Sequence, residues 1–312
     1  MRKLQTFVEF KKSEHPLRFE SPCLFMGSCF SQHMANNISK AGYTVISDPF
    51  GISFNPISIA ENIAFILSGV KIKEDELFEH QGIWSHFRSH SSNSHFEKRI
   101  ALSQINDTLN DTREVLNDLR HIYITFGTAW VFKREGMVVN NCHKLPADQF
   151  QRELVDREEI VNVWCQVITV MRELNPDVKF CFTLSPVRHW KDGAEGNSLS
   201  KSLLRVAIHE IVQANKHVSY FPSYEFMMDE CRDYRFYADD LLHPSSLAIE
   251  MIWEKFRATQ TAEKDTELID AHLALTLRKE HRPRFSGSAE DLLFQKTTLE
   301  MEVKLKAQRK VR

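Results

Sequence analysis

The chain lacks any apolar run long enough to cross a membrane as a helix. Its first 20 residues, beginning Met1-Arg2-Lys3-Leu4, also lack the continuous apolar segment of a secretion signal. Charge of one sign is missing too. Lysines and arginines number 40 against 42 aspartates and glutamates, a net charge of −2 over 312 residues. Such balance gives no global field to draw nucleic acid or an anionic membrane, so neither is expected as a partner. No C-x-x-C pair occurs. The six cysteines (Cys23, Cys29, Cys142, Cys165, Cys181 and Cys231) are scattered, several inside apolar segments. This is the pattern of reduced, buried thiols rather than of disulfides or a zinc knuckle, and it predicts a cytoplasmic protein.

What is present is a repeated alternation of short apolar runs with helical periodicity, which predicts an α/β fold built on a parallel sheet with helices on both faces. Strands are expected at residues 22–27, 43–47, 121–126, 178–184 and 217–221. Helices are expected at 31–41, 57–67, 101–117, 156–174 and 198–215. In the helix from Asp156 to Leu174, Val161, Trp164, Val167, Ile168 and Met171 form one apolar face. Residues 70–100 and roughly 129–150 break the rhythm and read as loop insertions, the first lying over the active face. Five strands suit a three-layer, flavodoxin-like sheet, whose ligands gather at the carboxyl ends of the strands. One principal domain is expected over residues 1–258. Beyond it, 259–312 reads as an appended helical pair with a basic tail, packing on the body or joining two copies into a homo-oligomer.

Two short stretches bear chemistry. Cys23-Leu24-Phe25-Met26 ends in Gly27-Ser28-Cys29 and passes straight into a helix, while Asp240-Leu241-Leu242-His243 precedes the last well-patterned apolar helix of the body. The order Ser…Asp…His is one that α/β hydrolases use. A serine hydroxyl is a poor nucleophile until an imidazole takes its proton, and the imidazole needs a carboxylate to fix its tautomer. Ser28 is therefore the candidate nucleophile, His243 its base and Asp240 the partner of His243. Serine at such a turn also serves as an ordinary helix N-cap. Cys29 is an alternative nucleophile, read here as a packing residue, and Asp239 is an alternative carboxylate. Trp84, His86, Phe87 and His90 offer an aromatic wall for a sugar or acyl group. Acidic or cysteine residues at ligand spacing are missing near them, so no metal is expected, and no cofactor.

Gly27-Ser28-Cys29-Phe30-Ser31 resembles the signature of the GSCFA domain family, a branch of the SGNH/GDSL hydrolase clan, with Ser31 where the family usually has alanine. The likeness runs through Asp48-Pro49-Phe50-Gly51-Ile52-Ser53-Phe54-Asn55-Pro56, Thr125-Phe126-Gly127-Thr128-Ala129-Trp130, Asn141-Cys142-His143-Lys144, Leu184-Ser185-Pro186-Val187-Arg188-His189 and Arg235 to Pro244. It implies a serine-dependent esterase or acyl-transfer enzyme acting on an acylated carbohydrate or small ester. Ser28, Asp240 and His243 would form its triad, with Gly51, Asn55, Gly127, Thr128, Asn141, His143, Arg188 and His189 at oxyanion and substrate positions. One departure stands out. Related enzymes take an oxyanion donor from an asparagine where this chain has Ala129, and losing one donor costs about 10²–10³ in rate. Thr128, Asn141 and His143 are the candidates to replace it. Without a replacement, the domain would bind a carbohydrate or acyl ligand rather than cleave it, or would serve as a scaffold for the C-terminal helices.

Overall fold

A computed structural model describes residues 5–310. Along the chain run β1 (Cys23–Gly27), α1 (Cys29–Lys40), β2 (Val45–Ser47), α2 (Pro56–Ser68), the hairpin β3 (Phe78–His80) and β4 (Ile83–Ser85), α3 (Lys98–Glu114) and β5 (His121–Phe126). Next come β6 (Trp130–Arg134), β7 (Met137–Val139), β8 (Gln151–Leu154), α4 (Arg157–Leu174), β9 (Lys179–Leu184), α5 (Gly193–Ala214), β10 (Val218–Tyr220) and the short turn α6 (Ser223–Glu225). The chain ends in α7 (Ser246–Gln260), α8 (Thr266–Glu280) and α9 (Ala289–Lys310). The central sheet has the order β10-β9-β5-β1-β2 with every pair parallel, the flavodoxin-like arrangement.

Side chains alternate across this sheet, and both faces are covered, which is why its strands read as unbroken apolar runs. Leu24, Met26, Ile122, Ile124, Phe180 and Phe182 meet α2 to α5 on one face. Cys23, Phe25, Tyr123 and Cys181 meet α1, α7 and α8 on the other. In α4 the buried stripe is Ile160, Trp164, Val167, Ile168 and Met171. Val161, expected on that face, is only partly buried because Ile160 takes the inward position.

The insertions are more ordered than their composition suggests. Residues 70–100 contain the β3–β4 hairpin, and 129–154 fold as an antiparallel sheet of order β7-β6-β8. These strands are only three to five residues long, too short for their apolar residues to stand out as runs. The helical pair expected after residue 258 is present, and its first helix packs on the body. Leu268, Ile269 and Leu275 of α8 are buried in the same cluster as Phe25 and Phe256. The second, α9, buries Leu305 and leaves Leu292, Leu293, Leu299 and Val303 exposed. Its start is capped by Ser288, whose Oγ accepts from Asp291 N at 3.2 Å. Among the described residues no helix is long and apolar enough to cross a membrane.

Candidate active site

The turn after β1 is built to place one residue. Gly27 has φ +146°, and a Cβ there would lie 2.2 Å from Thr125 O of the neighbouring strand, so only glycine fits. Its amide donates to Asp48 Oδ1 at 2.7 Å, and its carbonyl accepts from Ser53 N at 2.9 Å. Burial pushes the Asp48 carboxyl up to about 7, against the hydrogen bonds from Gly27 and Ser47. Ser28 follows, 0% exposed. Although it occupies the N-cap position of α1, its side chain caps nothing. Its Oγ donates instead to Ser185 Oγ at 3.1 Å, at the end of β9. Burial raises the pKa of the adjacent Cys29 thiol, so that thiol is held away from its reactive form.

Below this pair lies Lys201, 1% exposed, which the sequence reading passed over. Its Nζ donates to Gly127 O at 2.8 Å and to Ser185 O at 2.7 Å, pinning the ends of β5 and β9 together. Burial draws its pKa down to about 7. A neutral amine has two N–H groups, which matches the two carbonyls it serves. A sequence signal did exist, because Lys201 falls in register with Leu204, Ile208 and Ile211 on the buried stripe of α5.

Asp240 and His243 come together as expected. Asp240 Oδ2 lies 2.5 Å from His243 Nδ1, while Oδ1 accepts from the amides of Leu242 and His243 at 2.9 Å each. The His243 amide, then the Leu242 amide and the imidazole, hold the Asp240 carboxyl down at about 2. The loop is anchored to the β9–α5 connection, because Arg188 N donates to Leu242 O at 3.1 Å.

The expected hydrogen bond between Ser28 and His243 is not formed. The serine hydroxyl is buried and bonded to Ser185, while the two loop side chains stay 47% exposed. The two segments nevertheless share one rim. The charge of Asp240 is felt at Cys29, and that of His243 at His33 and His189. Rotating Ser28 about χ1, between staggered wells, is the movement that releases its hydroxyl from Ser185.

The expected oxyanion and substrate residues divide into two groups. Gly51 N donates to Asp48 O at 2.7 Å, and the amides of Gly127 and Thr128 both go to Phe54 O, at 2.8 and 2.9 Å, so none of the three is free to receive an oxyanion. Thr128 Oγ1 pairs with Ser200 Oγ at 3.1 Å. Asn55 caps α2, with Oδ1 accepting from Ser58 N at 2.8 Å. Asn141 accepts from His143 N, and His143 Nε2 meets His86 O at 3.0 Å while its ring lies edge-on to Phe78. These side chains hold loops in place. Phe87, expected in an aromatic wall, stacks on Phe78 at 4.2 Å instead.

His189 is different. Its Nε2 is buried with no partner among the described residues, and a Cβ on Gly127 would come within 2.9 Å of it. Burial, then the charges of Lys201, Arg152 and His243, takes the His189 imidazole down to about 3, so it is neutral. It can present one N–H beside Gly127, where the methyl of Ala129 cannot. Arg188 likewise has a buried Nε without a partner. Among the described residues no group of three histidine, cysteine or acidic side chains is placed to hold a metal ion.

The chain matches the model of the GSCFA family over residues 22–256. Among curated proteins none matches it. Similar solved structures include a carbohydrate esterase family 3 protein from Talaromyces cellulolyticus, at 12% identity and TM-score 0.39, covering 80% of this chain and 98% of that one. An acetyl xylan esterase from the rumen bacterium Butyrivibrio proteoclasticus aligns at 11% identity and TM-score 0.36, over 78% of this chain and 65% of that one. A family two carbohydrate esterase from Clostridium thermocellum aligns at 11% identity and TM-score 0.38, over 81% and 66%. At these scores the likeness bears on neither activity nor substrate.

Proposed function

The chain belongs to the GSCFA family, and from that premise we propose that it is a serine-dependent hydrolase or acyl-transfer enzyme of the SGNH type, acting on an acylated carbohydrate or small ester. The observation that supports this most directly is the Asp240–His243 pair. It is closed at 2.5 Å, its carboxyl is held down at about 2, and the charge of Asp240 reaches Cys29, the neighbour of a buried serine whose hydroxyl does no capping. Ser28 Oγ turns from Ser185 toward His243 and attacks the ester carbonyl as His243 Nε2 takes its proton. Asp240 holds the imidazolium through Nδ1. As the tetrahedral intermediate collapses, the C–O bond to the alcohol breaks and His243 returns the proton to the leaving oxygen. Water, or a second alcohol, then attacks the acyl-serine with His243 again as base. The amides of Cys29 and Phe30 at the start of α1 and the His189 N–H stabilise the oxyanion, the Ser31 amide being bonded to Ser28 O at 2.7 Å.

One observation favours a second reading, in which the domain binds the ester without cleaving it: the Ser28 hydroxyl is buried and bonded to Ser185. Labelling with a fluorophosphonate, alongside p-nitrophenyl acetate turnover, decides between them. The enzyme reading expects one covalent label that disappears, with turnover, in Ser28→Ala and persists in Cys29→Ala. Well-folded protein that neither labels at Ser28 nor turns over the ester overturns the enzyme reading and favours the binder.

A further inference from the structure

Beside the Asp240–His243 pair opens a cleft of about 660 Å³, lined among others by Arg188, Trp190, Arg232, Tyr234, Tyr237 and Asp240. Both acidic residues on its wall are already committed: Asp233 to Arg235 at 3.5 Å and Asp240 to His243. Both arginines are not. Neither guanidinium makes an ion pair or hydrogen bond among the described residues, and Arg188 carries a buried Nε with nothing to donate to. Rings line the same cleft and face solvent, Trp190 at 46% exposure and Tyr234 at 78%, and the Arg188 guanidinium lies 5.4 Å from the centre of the Trp190 ring.

A guanidinium left without a carboxylate in a concave wall is a fork of donors suited to a planar or tetrahedral oxyanion. An exposed aromatic face beside it suits the C–H face of a sugar ring. Because Arg188 N is bonded to Leu242 O, between Asp240 and His243, a molecule held by Arg188 lies against the catalytic loop. Resting on the hydrolase reading, we infer that this cleft receives the alcohol part of the ester as a sugar bearing a fixed negative charge, a carboxylate or a phosphate, with Arg188 and Arg232 on the anion and Trp190 and Tyr234 against the ring.

Titration calorimetry of the intact protein with glucuronate, glucose 6-phosphate and glucose tests this without requiring turnover. At least one charged sugar is expected to bind ten or more times tighter than glucose, to weaken with added salt, and to lose that advantage in the Arg188→Gln/Arg232→Gln double variant. Which charged sugar binds tighter tells carboxylate from phosphate. Should the double variant fail to fold, the single Arg232→Gln, at an exposed position, is expected to show at least a threefold loss. Glucose binding as tightly as both charged sugars, no binding of any of the three, or charged-sugar affinity unchanged in the folded variant overturns the inference. Its failure is separable from that of the enzyme reading. Protein that labels at Ser28 without preferring charged sugars loses only the cleft, whereas protein that prefers them without labelling loses only the chemistry.

Discussion

Ser28 sits at 0% exposure with Gly27, Asp48, Ser185 and Lys201 closed around it, whereas Asp240 and His243 leave 47% of each side chain in solvent. On the buried side the polar atoms are tied to other strands: Gly27 to the end of β2, Ser28 to the end of β9, Lys201 to the ends of both β5 and β9. On the exposed side, the bonds of Asp240 stay within residues 240–243. Placement of the proposed nucleophile is thus a property of the fold, and placement of the proposed base is largely a property of one loop. Substitutions in the two halves should therefore fail differently. Asp240→Asn should lower turnover about 10²–10⁴-fold by offering the imidazole the wrong partner, while leaving the urea midpoint where it was. Gly27→Ala should instead cost about 3 kcal/mol of unfolding free energy in the same titration, because its Cβ meets the Thr125 carbonyl 2.2 Å away. An Asp240→Asn protein that melts early, or a Gly27→Ala protein of unchanged stability, would break the contrast.

Lys201 sharpens the contrast through pH. Burial, opposed by the nearby Cys29 and reinforced by Arg188, lowers its pKa to about 7 from 10.5. Between those values the unfolded chain holds a proton that the folded one does not. The folded state therefore gains stability as pH rises from 7, and loses it as pH falls back through 7. Asp48, raised to about 7, acts in the opposite sense but below that pH, where the folded chain holds the extra proton. The buried thiols of Cys23 and Cys181, held up to about 12, count against the folded state only above their ordinary value of 9.0. From pH 7 to 9 the unfolding free energy should accordingly rise by roughly 1–3 kcal/mol in the native chain, at about 1.4 kcal/mol per pH unit at most. In Lys201→Met, which leaves the Gly127 and Ser185 carbonyls without their donor, the protein should be less stable and the rise absent. An equal rise in both proteins would mean that Lys201 is charged when folded.

Much of this arrangement was legible in the residues. Strands covered on both faces wrote themselves as apolar runs, and the carboxylate–imidazole pair lay three residues apart, within reach of its own loop. What stayed hidden depended on partners distant in sequence. Nothing near Ser28 announces Ser185, 157 residues on, as the acceptor of its hydroxyl. Lys201 looked like a polar helix position because lysine is so seldom fully buried. His189 was expected at the pocket, but its nitrogen beside Gly127, unpartnered among the described residues, appears only once β5 and the β9–α5 loop are side by side. Asn141, His143, Thr128 and Gly51 sit in motif-bearing segments, yet their hydrogen bonds go to the protein itself, those of Asn141 and Gly51 within their own turns, those of His143 and Thr128 to His86 and Ser200, and hold loops in place. A motif marks both the groups that react and those that hold them, and composition alone does not separate the two.

Asn55 tests that separation at the smallest scale. The resemblance put it at a substrate position, but both ends of its amide are used at the start of α2, Oδ1 on Ser58 N at 2.8 Å and Nδ2 on Ser58 Oγ at 3.0 Å. If capping is its whole role, Asn55→Ala should lower the unfolding free energy by about 1 kcal/mol, and Asn55→Asp, which keeps an acceptor for the Ser58 amide, should restore most of it. Neither change should move kcat/KM for p-nitrophenyl acetate by more than about twofold. A loss of tenfold or more in kcat/KM that Asn55→Asp does not repair, in protein of nearly native stability, would place this amide among the groups that touch the substrate. The boundary between the buried half and the reacting half would then have to be redrawn to include the start of α2.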